Sequence, residues 1–137
     1  MIYHKSLDVY RLALDFVELA AVIAKRIPRG QGQLADQLRR ASGSIAYNIG
    51  EGAGEFASLE KARFYRIALR SATESATIID IVLRFGFIEA EIHARSETML
   101  ERIIGMLTKL VHRHRGGATD IGKRRREREP LHWERER

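Results

Sequence analysis

Apolar residues recur at spacings of three and four along four successive stretches of this 137-residue chain. That is the period of helices that bury one side. The first stretch runs from about Ser6 to Ile27, with Tyr10, Leu14, Val17, Ala21 and Ala24 on one face. Ser6 is placed to cap it, Asp8 lies in its first turn, and Lys25, Arg26 and Pro28 mark its end. The second runs from about Gln33 to Glu51 on Leu34, Leu38, Ala41, Ile45 and Ile49. The run Gly50-Glu51-Gly52-Ala53-Gly54 is expected to fray its end and to supply a turn. The third starts at a Ser58 cap and carries Phe64, Ile67, Ala68, Ser71, Ala72, Ser75, Ile78, Ile79 and Val82 on one side. Its small central residues admit a close neighbour, and Gly86 suits the position just past its end. The fourth runs from about Glu89 to His112 on Ile92, Met99, Ile103, Leu107 and Leu110, and Gly116-Gly117 stops it. No run alternates as a strand does.

Connections of a few residues favour antiparallel neighbours. The expected fold is therefore all-α, an antiparallel up-down-up-down four-helix bundle over residues 1–115. Residues 116–137 lose the apolar period and read as a basic, flexible tail. Leu131 and Trp133 are the tail's candidate anchors.

Composition narrows the chemistry. There is no cysteine, so disulfides, thiolate nucleophiles and cysteine zinc sites are excluded. The start lacks a signal-peptide pattern and no apolar stretch is long enough to span a bilayer, so a cytoplasmic protein with no membrane partner is expected. Lysine and arginine total 24 against 18 acidic residues, a net charge of +6. That sign makes RNA, DNA or another acidic partner a candidate. The excess is spread along the chain: 17 basic against 13 acidic residues in 1–115, and 7 against 5 in the tail.

Two groups of polar residues stand out. Gln37, Arg40, Ser44, Asn48 and Glu51 form a stripe beside the apolar face of the second segment, and Arg70 and Glu74 lie four apart on the third. Pairing Arg40 with Glu74 and Arg70 with Glu51 would match each charge. The stripe reads either as a register-setting internal network or as a set of ligands for a partner. The second group is cationic: Arg63, Arg66 and Arg70 share a face, and with Arg39 they could hold phosphates. The alternative is a solvated face paired with nearby acids. Lys123, Arg124, Arg125 and Arg126 extend the basic set into the tail, with Glu127 and Glu129 diluting it.

Catalytic signals are weak. Glu51 and Glu74 form a candidate carboxylate pair, and neighbouring arginines would favour their charged forms. His112 and His114 are two apart, a poor spacing for shared metal ligation on a helix. His93 has no obvious carboxylate partner, and no HExxH motif occurs. The glycine run near Gly52 lacks the Lys-Ser/Thr of a phosphate loop and follows a helix. No cofactor or metal is expected, and no enzymatic activity.

The run Asp36-Gln37-Leu38-Arg39-Arg40-Ala41-Ser42-Gly43-Ser44-Ile45-Ala46-Tyr47-Asn48-Ile49-Gly50-Glu51-Gly52 resembles the signature of the four-helix bundle proteins encoded in bacterial 23S ribosomal-RNA intervening sequences. That pattern is Gln-Leu-Arg-Arg-Ala, then Ser-Ile, then Asn-Ile-Ala-Glu-Gly. Gly50 stands where alanine is usual and Ala46 where proline is frequent. Leu7-Asp8-Val9-Tyr10 is similar to the family's start, and Phe64-Tyr65-Arg66-Ile67-Ala68-Leu69-Arg70-Ser71-Ala72-Thr73-Glu74 to its third-helix motif. The resemblance covers residues 5–113. It implies a homopentameric ring and kinship with the accessory proteins of diversity-generating retroelements, which bind nucleic acid and a reverse transcriptase. The expected function is a non-catalytic, oligomeric bundle that binds RNA or DNA without sequence preference, through Arg39, Arg63, Arg66, Lys123, Arg124, Arg125 and Arg126. The alternative is a scaffolding or accessory protein for a partner such as a retroelement reverse transcriptase. The implied family role is defined less well than the fold.

Overall fold

The computed structural model describes residues 7–116. Four α-helices make up almost all of that span: α1 (Asp8–Arg26), α2 (Gly32–Gly54), α3 (Ser58–Arg84) and α4 (Ala90–Gly116). A single turn of 3-10 helix, Arg29–Gln31, joins α1 to α2. α1 packs on α2 and α4, and α3 packs on the same two helices, so the four form a closed square with α1 and α3 on a diagonal.

Contacts between side chains set the directions. Along α2 and α3, Arg40 meets Glu74, Ser44 meets Ser71, and Lys61 reaches Gly52 and Ala53. Numbers rise on one helix as they fall on the other, so the two are antiparallel. His93 with Asp80, and His114 with Tyr65, order α3 and α4 the same way. Arg26 at the end of α1 bonds Glu89 just before α4, 3.3 Å apart. The bundle is thus up-down-up-down. The tail expected at 116–137 lies, from Gly117 onward, outside the described residues, as does the proposed cap Ser6.

The core is built from aliphatic residues and alanine. Phe16, Ile23, Leu38, Ile45, Ile49, Ile79, Ile103 and Leu107 are its largest fully buried side chains. On α1 the inward stripe is Val9, Ala13, Phe16, Ala20, Ile23 and Ala24, one position back from the stripe Tyr10–Leu14–Val17–Ala21 expected from the sequence. Both series have helical spacing, because α1 carries apolar residues on more than half its circumference. Phe16 is fully buried on the inward stripe, and Leu14 is left 43% exposed.

Two helix starts differ from expectation. Leu7 and Ala57 hold the cap positions of α1 and α3, and neither makes a side-chain cap bond. Ser58 is the first helical residue instead. The end of α3 behaves as expected: Gly86 has φ +76°, its N–H bonds the Leu83 carbonyl at 2.9 Å, and Phe87 N–H bonds Val82 at 3.1 Å. This pair of bonds closes the helix at a residue where a side chain would be strained.

The glycine run of α2 corrects the expected turn. Helix continues through Gly50, Glu51 and Gly52 to Gly54. Gly52 is needed for proximity, since a Cβ there would sit 2.7 Å from Tyr65 Cε1 and 3.2 Å from Phe64 Cβ. Lys61 then closes the end of α2, its ammonium donating to the carbonyls of Gly52 (3.1 Å) and Ala53 (2.9 Å).

Candidate nucleic-acid interface

The polar stripe of α2 divides among three environments. Its centre is inside. Ser71 Oγ donates to Ser44 Oγ at 2.8 Å, and the Asn48 amide donates to the Ser44 carbonyl at 2.8 Å and to its hydroxyl at 3.0 Å. Ser75 donates to the Ser71 carbonyl at 2.9 Å. Asn48, Ser71 and Ser75 are buried. Every buried side-chain nitrogen and oxygen among the described residues has a partner, which is what makes this seam tolerable in a core of small residues.

The charged members lie outside. Arg40 and Glu74 meet at 2.7 Å, but the Arg40 side chain is 65% exposed. Glu51 and Arg70 are exposed and do not pair. They sit on opposite flanks: Glu51 lines a cleft against α1, and Arg70 a groove against Gln37. Glu51 and Glu74 also cannot act as one acid/base pair. Glu74 is level with Arg40, about 16 Å along the helix axis from Glu51 at 1.5 Å per residue.

The cationic set is likewise divided. Arg63, Arg66, Arg70, Thr73 and Thr77 follow spacings of three and four along the exposed side of α3. Arg63 bonds Glu60 at 3.2 Å and lies over the Phe64 ring, 4.4 Å from its centroid. Arg66 and Arg70 have no acidic partner among the described residues. Arg39 pairs with Asp36 on its own helix at 3.3 Å. From the Ser44–Ser71 register it lies about 20 Å along the axis from Arg63, so it is not part of one patch with α3. Lys123, Arg124, Arg125 and Arg126 lie outside the described residues.

Beside Arg70 an open groove of about 610 Å³ follows the α2–α3 seam, walled by Gln37, Thr73, Glu74, Thr77 and the apolar Ile78 and Ile81. At the end of the bundle where α4 stops, Lys61, Arg113 and His114 gather around Tyr65. The His114 and Tyr65 rings are 5.8 Å apart. Burial holds the His114 imidazole below its ordinary pKa, and the Lys61 and Arg113 charges push it the same way. Burial raises the Tyr65 phenol, against a smaller lowering by Arg113. His93 does have a carboxylate partner, contrary to expectation: Asp80 lies 2.7 Å from its Nε2. Sequence reasoning missed it because Asp80 comes from the preceding helix. Among the described residues no three side chains are arranged to hold a metal ion, and no helix is long and apolar enough to cross a membrane.

A model of the 23S rRNA-intervening sequence proteins matches residues 5–109. The chain belongs to that family. Among solved structures it is similar to a protein of unknown function from the S23 ribosomal protein family of Bacteroides thetaiotaomicron, determined at 1.70 Å, with a TM-score of 0.71 and 20% identity. The match covers 75% of this chain and 97% of the other. At that identity it shows the shared four-helix fold. Among curated proteins there is no match.

Proposed function

We propose that this intervening-sequence protein is a non-catalytic, cytoplasmic bundle that binds the phosphates of RNA or DNA without sequence preference. The observation that carries this reading is the row Arg66–Arg70. Both guanidiniums are exposed, on one helix face, and without an acid to neutralise them. Guanidiniums placed this way keep all their donors available to phosphate oxygens. Arg63 extends the row with its charge partly offset by Glu60. Arg39 contributes a separate contact, and Lys123, Arg124, Arg125 and Arg126 add charge in sequence beyond α4. No exposed aromatic interleaves with Arg66 and Arg70, so base stacking is not part of the proposal. Assembly as a homopentamer, which the family resemblance implies, would repeat the row five times and strengthen its field.

The test is fluorescence-anisotropy titration of short RNA and DNA duplexes at several salt concentrations, with sedimentation to count subunits. Binding should weaken steeply with salt and be indifferent to sequence. Absence of binding at low salt overturns the proposal. A second reading, an accessory protein docking on a partner such as a retroelement reverse transcriptase, is favoured by the α2–α3 turn, where Phe56 is 98% and Leu59 58% exposed. A Phe56→Ser variant that keeps duplex binding but loses a purified partner would support it.

A further inference from the structure

The cleft between α1 and α2 has chemistry opposite to that of α3. It measures about 340 Å³ and is lined by Tyr10, Ala46, Tyr47, Gly50 and Glu51. Tyr47 and Glu51 are one helical turn apart on α2 and form its outer rim; Ala46 and Gly50, also one turn apart, form its floor. Tyr10 comes from α1 and closes the other side, its ring edge 4.0 Å from where a Gly50 Cβ would stand. Tyr47 is 67% exposed. Glu51 is exposed and has no basic partner among the described residues, in a chain with a net charge of +6.

A cleft lined by one carboxylate and two phenol rings, with alanine and glycine at its floor, suits a flat cation. The ring faces attract it electrostatically, the carboxylate can take two parallel N–H bonds, and the small floor leaves room for a planar group. The geometry points to a docking site for an arginine side chain carried by a basic segment of a partner protein, seated between Tyr10 and Tyr47 with its guanidinium on Glu51. Guanidinium fits better than ammonium, because it stacks on aromatic faces and matches a carboxylate in a plane. Charge complementarity selects the partner: an anion such as a phosphate backbone would meet Glu51 unfavourably. The site is independent of phosphate binding by α3, and either can fail without the other.

The experiment is a two-dimensional ¹H–¹⁵N NMR titration of the full chain with acetyl-Gly-Arg-Gly-amide, run beside the lysine and citrulline versions. Saturable shifts should appear at Tyr47, Gly50 and Glu51 with the arginine peptide, be weaker with lysine, and be absent with citrulline. Glu51→Gln, an exposed substitution that leaves the fold intact, should weaken the arginine peptide roughly tenfold, as expected for losing a charged hydrogen-bond acceptor. Tyr47→Ala should weaken it as well, while duplex binding stays unchanged in both variants. The proposal is overturned if the arginine peptide gives no saturable shift there, if citrulline does as well, or if Glu51→Gln has no effect. It is also overturned if Glu51→Gln alone moves the resonances of residues 123–128, because the chain's own basic run would then be the occupant.

Discussion

Gly52→Ala and Gly43→Ala make the same chemical change in the same helix, and the structure gives them opposite signs. In each case alanine favours helix over glycine by about 0.5–1 kcal/mol, and restricts the unfolded chain equally. At Gly43 the new methyl meets nothing within 4 Å, so the gain stands. At Gly52 the methyl falls 2.7 Å from Tyr65 Cε1, 3.0 Å from Cδ1 and 3.2 Å from Phe64 Cβ. Tyr65 is only 2% exposed and cannot swing away, so α2 and α3 must separate locally. Overpacking of that kind costs about 1–3 kcal/mol. Subtracting one variant from the other cancels propensity and leaves the packing cost alone. The gap between them should therefore be about 1–3 kcal/mol, or several degrees in Tm for a domain of this size. Urea and thermal unfolding followed by circular dichroism, at matched protein concentration, measure it. A Tyr65→Leu background removes the clashing ring, so the gap should shrink there, as a double-mutant cycle reports. If Gly52→Ala proved as stable as Gly43→Ala, the close approach of α2 and α3 at this point would be wrong.

Other outcomes follow from the same contacts. Arg40→Ala should cost no more than about 1 kcal/mol and become neutral in high salt, because its pair with Glu74 is exposed; a larger loss by urea titration would put the pair inside. Asn48→Ala should cost about 1–3 kcal/mol, since it removes two bonds to Ser44 in a buried seam; an unchanged urea midpoint would contradict that. His114, whose pKa is lowered in the folded state, favours the folded chain fully above about pH 6.5. Below that the unfolded state binds the proton more readily, so this contribution is lost as pH falls toward the folded value. His114→Asn should flatten that part of the stability profile measured between pH 7 and 5. Arg66→Ala and Arg70→Ala should each reduce the salt slope of duplex binding by about one phosphate contact, read by anisotropy.

The fold was legible because the four apolar periods are long and the breakers between them sparse. What period cannot decide is phase when apolar residues cover much of a helix, and α1 shows it. Tyr10–Leu14–Val17 and Val9–Ala13–Phe16 are equally regular, and only the volume inside the bundle selects the second. The glycines of α2 misled for a related reason. Glycine can end a helix or let another segment come near, and Gly52 does the second because the Tyr65 ring reaches it from α3, thirteen residues on. The polar stripe was visible as a stripe, but a helix edge of that width spans buried and solvated surroundings at once. Ser44 and Asn48 fall inward, Arg40 stays at the rim, and Glu51 turns toward α1. The tyrosine cleft left one local trace, the two rows Ala46/Gly50 and Tyr47/Glu51; the third wall, Tyr10, comes from another helix.

That division has a functional consequence. Arg70 and Glu51 look like partners on paper, members of polar stripes on adjoining helices with opposite charge. The bundle instead turns Glu51 to the α1–α2 cleft and Arg70 to the α2–α3 groove, with the body of α2 between them. Neither charge is neutralised by the other, and neither is buried. A cation row on one side and a cleft lined by a carboxylate and two phenol rings on the other can be occupied together. Simultaneous occupancy makes a stronger demand than two separate bindings: Arg70→Ala should leave the arginine peptide's affinity unchanged, and Glu51→Gln should leave the duplex salt slope unchanged. Cross-effects in either variant would mean that the two charges sense each other through α2, and the separation inferred from the cleft and groove linings would not hold.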